Sequence, residues 1–198
     1  MSSEYEPVFG RGGEVVDDLE SVRDVFGKAA APFTRSPWSW LTWAFLLPLV
    51  ALTTRSVLVR FGAPGVVLAW CGTIILGGAV EVWAVRPDRQ TARTTLAGWA
   101  LRAQANLSFV AVVISAALIW ADRINAVPGV WLLVLGHSFL LLGGLAFAPF
   151  KRAGWIYQVA GVVALWPSQD GLVWFAVATC IGNLWIGLSV RSMRAGKA

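Results

Sequence analysis

Long apolar runs recur along this chain, and they restrict its fold more than any other feature. Six stretches approach the length of about 20 residues that a helix needs to cross a hydrocarbon core of about 30 Å. They lie at 37–54, 64–85, 96–119, 127–149, 153–167 and 171–190. Charged residues make up 14% of the chain, against about 25% in an ordinary soluble domain. We therefore expect lipid to surround most of the chain.

The fold class that follows is all-α, a polytopic membrane bundle in which 37–190 forms six transmembrane helices. Lipid admits only helices and closed barrels, and these runs are too long and continuous for barrel strands. Proline supports the boundaries, because Pro64 and Pro128 fall at expected helix starts and Pro167 falls at an expected end. Small residues should let the helices approach closely. The packing candidates are Gly72, Gly77, Gly78, Gly136, Gly143, Gly144, Gly182 and Gly187.

Lysine and arginine predict the orientation of the helices. With the N-terminus inside, twelve basic residues fall on the cytoplasmic side, and only Arg55, Arg60 and Arg123 fall outside. The twelve are Arg11, Arg23, Lys28, Arg35, Arg86, Arg89, Arg93, Lys151, Arg152, Arg191, Arg194 and Lys197. Cytoplasmic loops of membrane proteins carry such an excess. We predict both termini in the cytoplasm, a basic tail at 191–198, and a bacterial inner or plasma membrane. The net charge of +5 then reflects topology and not nucleic-acid binding.

Residues 1–36 form a cytoplasmic segment of different character, with seven of the eleven acidic residues before position 25. Within 14–26, apolar residues spaced four, three and four predict an amphipathic helix. They are Val15, Leu19, Val22 and Phe26. The opposite face is acidic, and anionic lipid repels acid. Two interpretations remain: the helix docks on protein, in this chain's basic loops or in a cytoplasmic or membrane partner, or it is a solvated tail.

Two charged residues fall inside the predicted spans, where an unpaired charge is costly. Glu81 lies five residues before Arg86, and Arg102 lies at a similar distance inside the next span. We predict a Glu81–Arg102 pair, because the two spans are antiparallel and joined by a short loop. Asn106 follows Arg102 by one helical turn and could join the same network. The pair would either pin two helices together or gate a substrate or ion at the inner mouth.

His137 is the only histidine and lies near the middle of the fourth span. Intramembrane histidine can serve a proton relay or a transport site. At similar depth the last two spans offer Tyr157, Gln158, Thr179 and Asn183, which could meet His137 in a small polar cavity. The alternative is a neutral imidazole hydrogen-bonded between helices.

Recognisable catalytic chemistry is missing from the sequence. It contains no HExxH, Walker or Rossmann pattern, and Cys71 and Cys180 lie apart in apolar runs, so we expect neither a metal site nor a cofactor. An enzyme is the least favoured class. We predict a non-enzymatic scaffold or regulatory accessory subunit. The alternative is a small-molecule permease or the membrane-embedded binding subunit of a transporter. A wet cavity at His137 would favour transport, and a dry, tightly packed bundle would favour the scaffold.

Overall fold

A computed structural model describes residues 36–85, 95–145 and 148–196, and in these ranges the protein is all-helical. The helices are α1 (Pro37–Val85), α2 (Thr95–Trp120), α3 (Val127–Leu145), α4 (Ala148–Ala164) and α5 (Gly171–Ala195), with a 3-10 turn at Ile124–Ala126. The predicted acidic helix at 14–26 lies outside the described residues. The last helix continues five residues beyond the predicted end of its span.

Helix α1 consists of two arms, 37–61 and 63–85, separated at Gly62. Gly62 has φ 68° and ψ −170°, a backbone conformation that is accessible essentially only to glycine. The two arms contain the first two predicted spans. The first arm is longer than predicted, since helix continues past residue 54 to the break. Arg55 and Arg60, which we expected in a connecting loop, are therefore helical.

Side-chain contacts show that the two arms fold back on each other. The ring of Trp43 in the first arm packs directly against Gly77 in the second. Nearer the break, the indole Nε1 of Trp70 donates a hydrogen bond of 3.1 Å to Thr54 Oγ1. Because the two contacts pair residues at similar distances on either side of the break, the arms form an antiparallel hairpin.

Helices α3, α4 and α5 pack together through glycine. If Gly136 of α3 carried a Cβ atom, that atom would lie 2.9 Å from the backbone nitrogen of Gln158 and 2.9 Å from the carbonyl oxygen of Gly154, both in α4. Further along α3, Gly143 lies against the backbone of Lys151. The α3–α4 pair is thus an antiparallel hairpin whose backbones touch, which is possible because glycine has no side chain.

The first arm of α1 packs along α5 in the opposite direction. Gly187, near the end of α5, lies against Leu41 and the Pro37 carbonyl oxygen at the start of α1. At the other end, Arg55 Nη1 lies 3.1 Å from Asp170 Oδ2, just before α5 begins. The start of α1 and the end of α5 therefore lie at the same end of the bundle.

Two apolar clusters fill the interior. The larger one joins Ala51, Leu132, Tyr157 and Phe175 with several buried alanines. The smaller one, near the start of α4 and the end of α5, contains Phe150, Ala153, Ile186 and Val190. Trp40 brings the first arm of α1 onto this second cluster, with its ring 5.3 Å from that of Phe150. Small residues between the aromatic rings let four helices, α1, α3, α4 and α5, share the larger cluster.

Helix α2 lies at the edge of the bundle, where it packs mainly against α3. The connection between them turns at Asp122, which has φ 58°. The following 3-10 turn reaches α5, since a Cβ built on Gly171 would lie 2.5 Å from the Asn125 carbonyl oxygen. Trp120, the last residue of α2, is 94% exposed.

Four helical segments of the described chain are long and apolar enough to cross a membrane: Pro37–Ala84, Arg102–Trp120, Ile124–Gly143 and Gly171–Ala195. The first of these has 48 residues and includes both arms of α1. Helix α4 has 17 residues and is shorter than the others. Large apolar side chains cover much of the outer surface, which fits a protein that meets lipid over most of that surface.

Candidate functional site

The polar residues singled out from the sequence occupy separate parts of the bundle. Glu81 lies on the second arm of α1, Arg102 and Asn106 lie on α2, and His137 lies on α3. Gln158 and Asn183 lie on α4 and α5. Any chemistry among them depends on which side chains face the interior and which face outward.

Glu81 is exposed, and among the described residues it contacts the other arm of the hairpin. Gly77, one helical turn earlier, receives the ring of Trp43, and the Trp43 side chain hydrogen-bonds the Glu81 carboxylate. Tryptophan has one donor, the indole N–H. A carboxylate can accept several hydrogen bonds, so the indole N–H satisfies only part of the accepting capacity of Glu81.

Arg102 and Asn106 are both exposed on α2. The described residues contain no ion pair between Arg102 and Glu81, so the predicted pair within one chain is not formed. The reason is the position of α2, which packs against α3 and the 3-10 turn instead of lying along the second arm of α1. The expectation that consecutive helices share a face does not hold here.

His137 points away from the interior of the bundle. Its neighbours Gly136 and Ser138 are buried, whereas His137 is exposed. The Ser138 hydroxyl donates to the Val134 carbonyl oxygen of its own helix at 3.0 Å. In the described chain His137 makes no hydrogen bond to Tyr157, Thr179 or Asn183. The predicted cavity centred on the histidine is therefore not assembled.

The other polar residues of that predicted cavity lie inside the bundle and serve its packing. The Gln158 Nε2 group donates to the Leu133 carbonyl oxygen at 2.9 Å and so links α4 to α3. Thr179 is fully buried, and its hydroxyl donates to the Phe175 carbonyl oxygen at 2.7 Å. Asn183, one turn beyond Thr179, is 3% exposed. Thr179 and Asn183 are thus buried and Gln158 is half-buried, whereas His137 is exposed.

Hydroxyl groups elsewhere follow the same pattern. Thr54 donates to the Val50 carbonyl oxygen and Ser115 to the Ala111 carbonyl oxygen, both at 2.7 Å. A hydroxyl in lipid has no water to bond, so the carbonyl one turn earlier is its nearest acceptor. Such residues are satisfied locally and leave no donor directed at a ligand.

Tyr157 is the most unusual interior residue, and sequence reasoning gave it only a minor place. It is 1% exposed, and its hydroxyl is buried without a hydrogen-bond partner in the described structure. The ring lies 5.3 Å from that of Phe139, and a Cβ built on Gly182 would lie 2.5 Å from the ring. Gly182 thus makes the space that the ring occupies. The sequence signal was a tyrosine and a glycine on consecutive spans at similar depth.

No group of three or more His, Cys, Asp or Glu side chains that could hold a metal ion occurs in the described ranges. Cys71 is exposed and Cys180 is partly buried, and both are free thiols. A comparison of the chain with family models, curated proteins and solved structures finds no match.

Proposed function

We propose that this chain is a multi-pass integral membrane protein of six spans that acts as a non-enzymatic scaffold or accessory subunit. The six spans would be the two arms of α1 and the helices α2 to α5. Helix α4 is the shortest, at about 25 Å for its 17 residues, and local thinning of the bilayer accommodates such a helix. The expected membrane is a bacterial inner or plasma membrane.

The contacts between helix ends support this topology. Asp170 lies beside Arg55, and Gly171 lies beside Asn125, so the connections before α3 and α5 share one end of the bundle. The contact of Gly187 with Pro37 belongs to the opposite end. Up-and-down passage of six helices produces this arrangement, and the basic residues then predict both termini in the cytoplasm.

The close packing of the helices is the observation that carries the scaffold role. Backbone meets backbone where Gly136 faces Gly154, and the Tyr157 ring fills the space beside Gly182. A solute path needs a hollow lined by polar groups. The polar side chains that such a path would use are packed inside or, like His137, directed outward. This arrangement favours a structural role over transport.

Partners would bind at two places, one on the described helices and one in a segment predicted from the sequence. Exposed polar residues on α1 and α2 could meet other membrane helices, and the acidic segment at 14–26 could meet a cytoplasmic protein. The predicted helix in that segment has an apolar face and an acidic face, as docking helices do. It would hold a partner at the membrane without entering the bilayer.

Native complexes extracted in polymer-bounded lipid discs test this function. The full chain should migrate with a second polypeptide in stoichiometric amount, and the deletion of residues 1–30 should release that polypeptide while the bundle keeps its melting temperature. Replacement of Val15 and Leu19 by Ser should have the same effect, and Asp17→Asn with Asp24→Asn serves as the matched control on the opposite face of the predicted helix.

The competing permease function predicts a different result. The purified chain in liposomes would then catalyse saturable solute uptake, and His137→Ala or Asn183→Ala would abolish it. Such uptake, or an unchanged complex after the deletion, would overturn the scaffold proposal.

A further inference from the structure

Two opposite charges remain exposed on helices that are consecutive in the sequence, the second arm of α1 and α2. Glu81 lies four residues before the end of α1, and Arg102 lies seven residues after the start of α2. At 1.5 Å per residue these positions are about 6 and about 10 Å from their helix ends. If those ends are level, as the proposed six-span topology requires, the two charges differ in depth by less than one helical turn.

Exposure to lipid is unfavourable for both side chains, although to different degrees. Arginine can extend its guanidinium toward the headgroups, but the short side chain of glutamate cannot reach as far. Trp83, two residues nearer the helix end than Glu81, is 66% exposed and fits an interfacial aromatic residue. The Glu81 carboxylate therefore lies on the apolar side of Trp83, with Trp43 as its partner among the described residues.

Each charge belongs to an exposed stripe of one helix. On the second arm of α1, Cys71, Ile74, Gly78 and Glu81 follow a spacing of three, four and three, and all four are exposed or half-buried. A Cβ built on Gly78 would meet nothing within 4 Å. On α2, Arg102, Ala105, Phe109 and Val112 have the same spacing and are likewise outward-facing. This is the spacing of residues that meet a second helix.

The two stripes are complementary when they run antiparallel. When Glu81 is placed opposite Arg102, small residues of one stripe face small residues of the other, and large residues face large ones. The opposed pairs are Glu81 with Arg102, Gly78 with Ala105, Ile74 with Phe109, and Cys71 with Val112. Glycine facing alanine allows the close helix approach that stabilises contacts in membranes. In one chain, however, α2 packs on α3, and both stripes remain exposed.

We propose that a second copy of this chain covers both stripes in a two-fold symmetric dimer. The second arm of α1 in each copy packs against α2 of the other, so that Glu81 and Arg102 form two identical ion pairs across the interface. A two-fold axis along the membrane normal relates the two pairs, and this symmetry requires both stripes to lie on one side of the bundle. The inference rests on the proposed topology, which sets the shared depth of the two charges.

Trans-complementation between two tagged copies tests this dimer in native membranes. Glu81→Arg alone and Arg102→Glu alone should each reduce co-capture of the two tags at least tenfold. Coexpression of the two variants should restore it to within threefold of wild type, because opposite charges then face each other again at both pairs of the interface. Arg60→Glu, a charge reversal at the outer end of the first arm of α1, should leave co-capture unchanged.

An ion pair within one chain would behave differently. Coexpression of the two single variants would then fail to restore co-capture, and only the double reversal in a single chain would restore it. That result would overturn the dimer, as would wild-type co-capture no higher than background or insensitive to both reversals. Labelling of Arg123→Cys from outside the cell, in the same membranes, separates a failure of the pairing from a failure of the six-span topology.

Cysteine cross-linking provides a second readout that does not depend on the charges. With Cys180 changed to Ser, Val112→Cys places a thiol opposite Cys71 of the other copy. Oxidation should give a disulfide-linked species of twice the mass, which Cys71→Ser removes. A disulfide that forms within the monomer, or none at all, would contradict the proposed interface.

Discussion

The carboxylate of Asp170 joins α5 to the first arm of α1 through its link with Arg55. Oδ2 lies 3.1 Å from Arg55 Nη1, while Oδ1 accepts a hydrogen bond of 3.1 Å from the Leu172 N–H. One residue thus caps a helix and ties it to a helix far away in the sequence. The pair is also the clearest marker of which helix ends lie together.

The two contacts of Asp170 can be separated by substitution. Asp170→Asn should keep the helix cap and lose the ion pair, at a cost of about 0–1 kcal/mol, because Arg55 is 66% exposed. Asp170→Ala should cost about 1 kcal/mol more through loss of the cap. Equilibrium unfolding in mixed micelles measures both. Equal costs for the two variants would show that the cap contributes nothing.

The glycines should differ in how well they tolerate substitution by alanine. Gly136→Ala should destabilise the bundle by about 1–3 kcal/mol, because the added Cβ meets two backbone atoms at 2.9 Å. Gly72→Ala is the matched control, since a Cβ there meets nothing within 4 Å. It should be neutral or stabilising by up to about 1 kcal/mol. The melting temperature of each variant can be measured by size-exclusion chromatography after heating. Equal melting temperatures for the two variants would contradict the close α3–α4 contact.

Tyr157 should tolerate loss of its hydroxyl better than loss of its ring. Tyr157→Phe removes a buried group that has no hydrogen-bond partner in the described structure, so stability should be unchanged or higher by about 1–2 kcal/mol. Tyr157→Ala empties the space beside Gly182 and should cost about 3–5 kcal/mol. The same unfolding measurement applies. A marked loss in Tyr157→Phe would indicate that the hydroxyl binds water or a ligand.

The proposed topology predicts which positions are accessible from outside the cell. In a chain with Cys71 and Cys180 changed to Ser, Arg123→Cys should react with an impermeant maleimide applied to intact cells. Gly196→Cys should react only after the membrane is permeabilised. Reaction of both positions in intact cells would rule out a cytoplasmic C-terminus. Reaction of neither would place the 3-10 turn away from the outer surface.

Apolar runs and proline positions predicted where helices occur, because a chain in lipid must satisfy its backbone hydrogen bonds within each segment. The start of α5 at Gly171 was predicted to the residue, and Asp170 caps it. Several packing glycines were also identified correctly, among them Gly77, Gly136, Gly143 and Gly182. Gly129, Gly154 and Gly161 also meet neighbouring helices, but they were missed because nothing local marks which side of a helix faces inward.

Other expectations failed for a common reason. Gly72 and Gly78 were expected to pack, yet a Cβ at either position would meet nothing within 4 Å in the described chain. His137 was interpreted either as part of a polar cavity or as an imidazole hydrogen-bonded between helices, and it is exposed. Both faces of a membrane helix are apolar, so hydrophobic periodicity does not distinguish a lipid-facing side from a protein-facing side.

By itself, the sequence determined that this protein is helical, that several of its helices are long and apolar enough to cross a membrane, and where most of its helices begin. These properties depend on local composition and on backbone hydrogen bonding. The tertiary structure alone decided that Arg55 meets Asp170, that α2 lies on α3, and that Glu81 and Arg102 stay apart within one chain. Such choices depend on how helix surfaces fit together, and that fit involves residues far apart in the sequence.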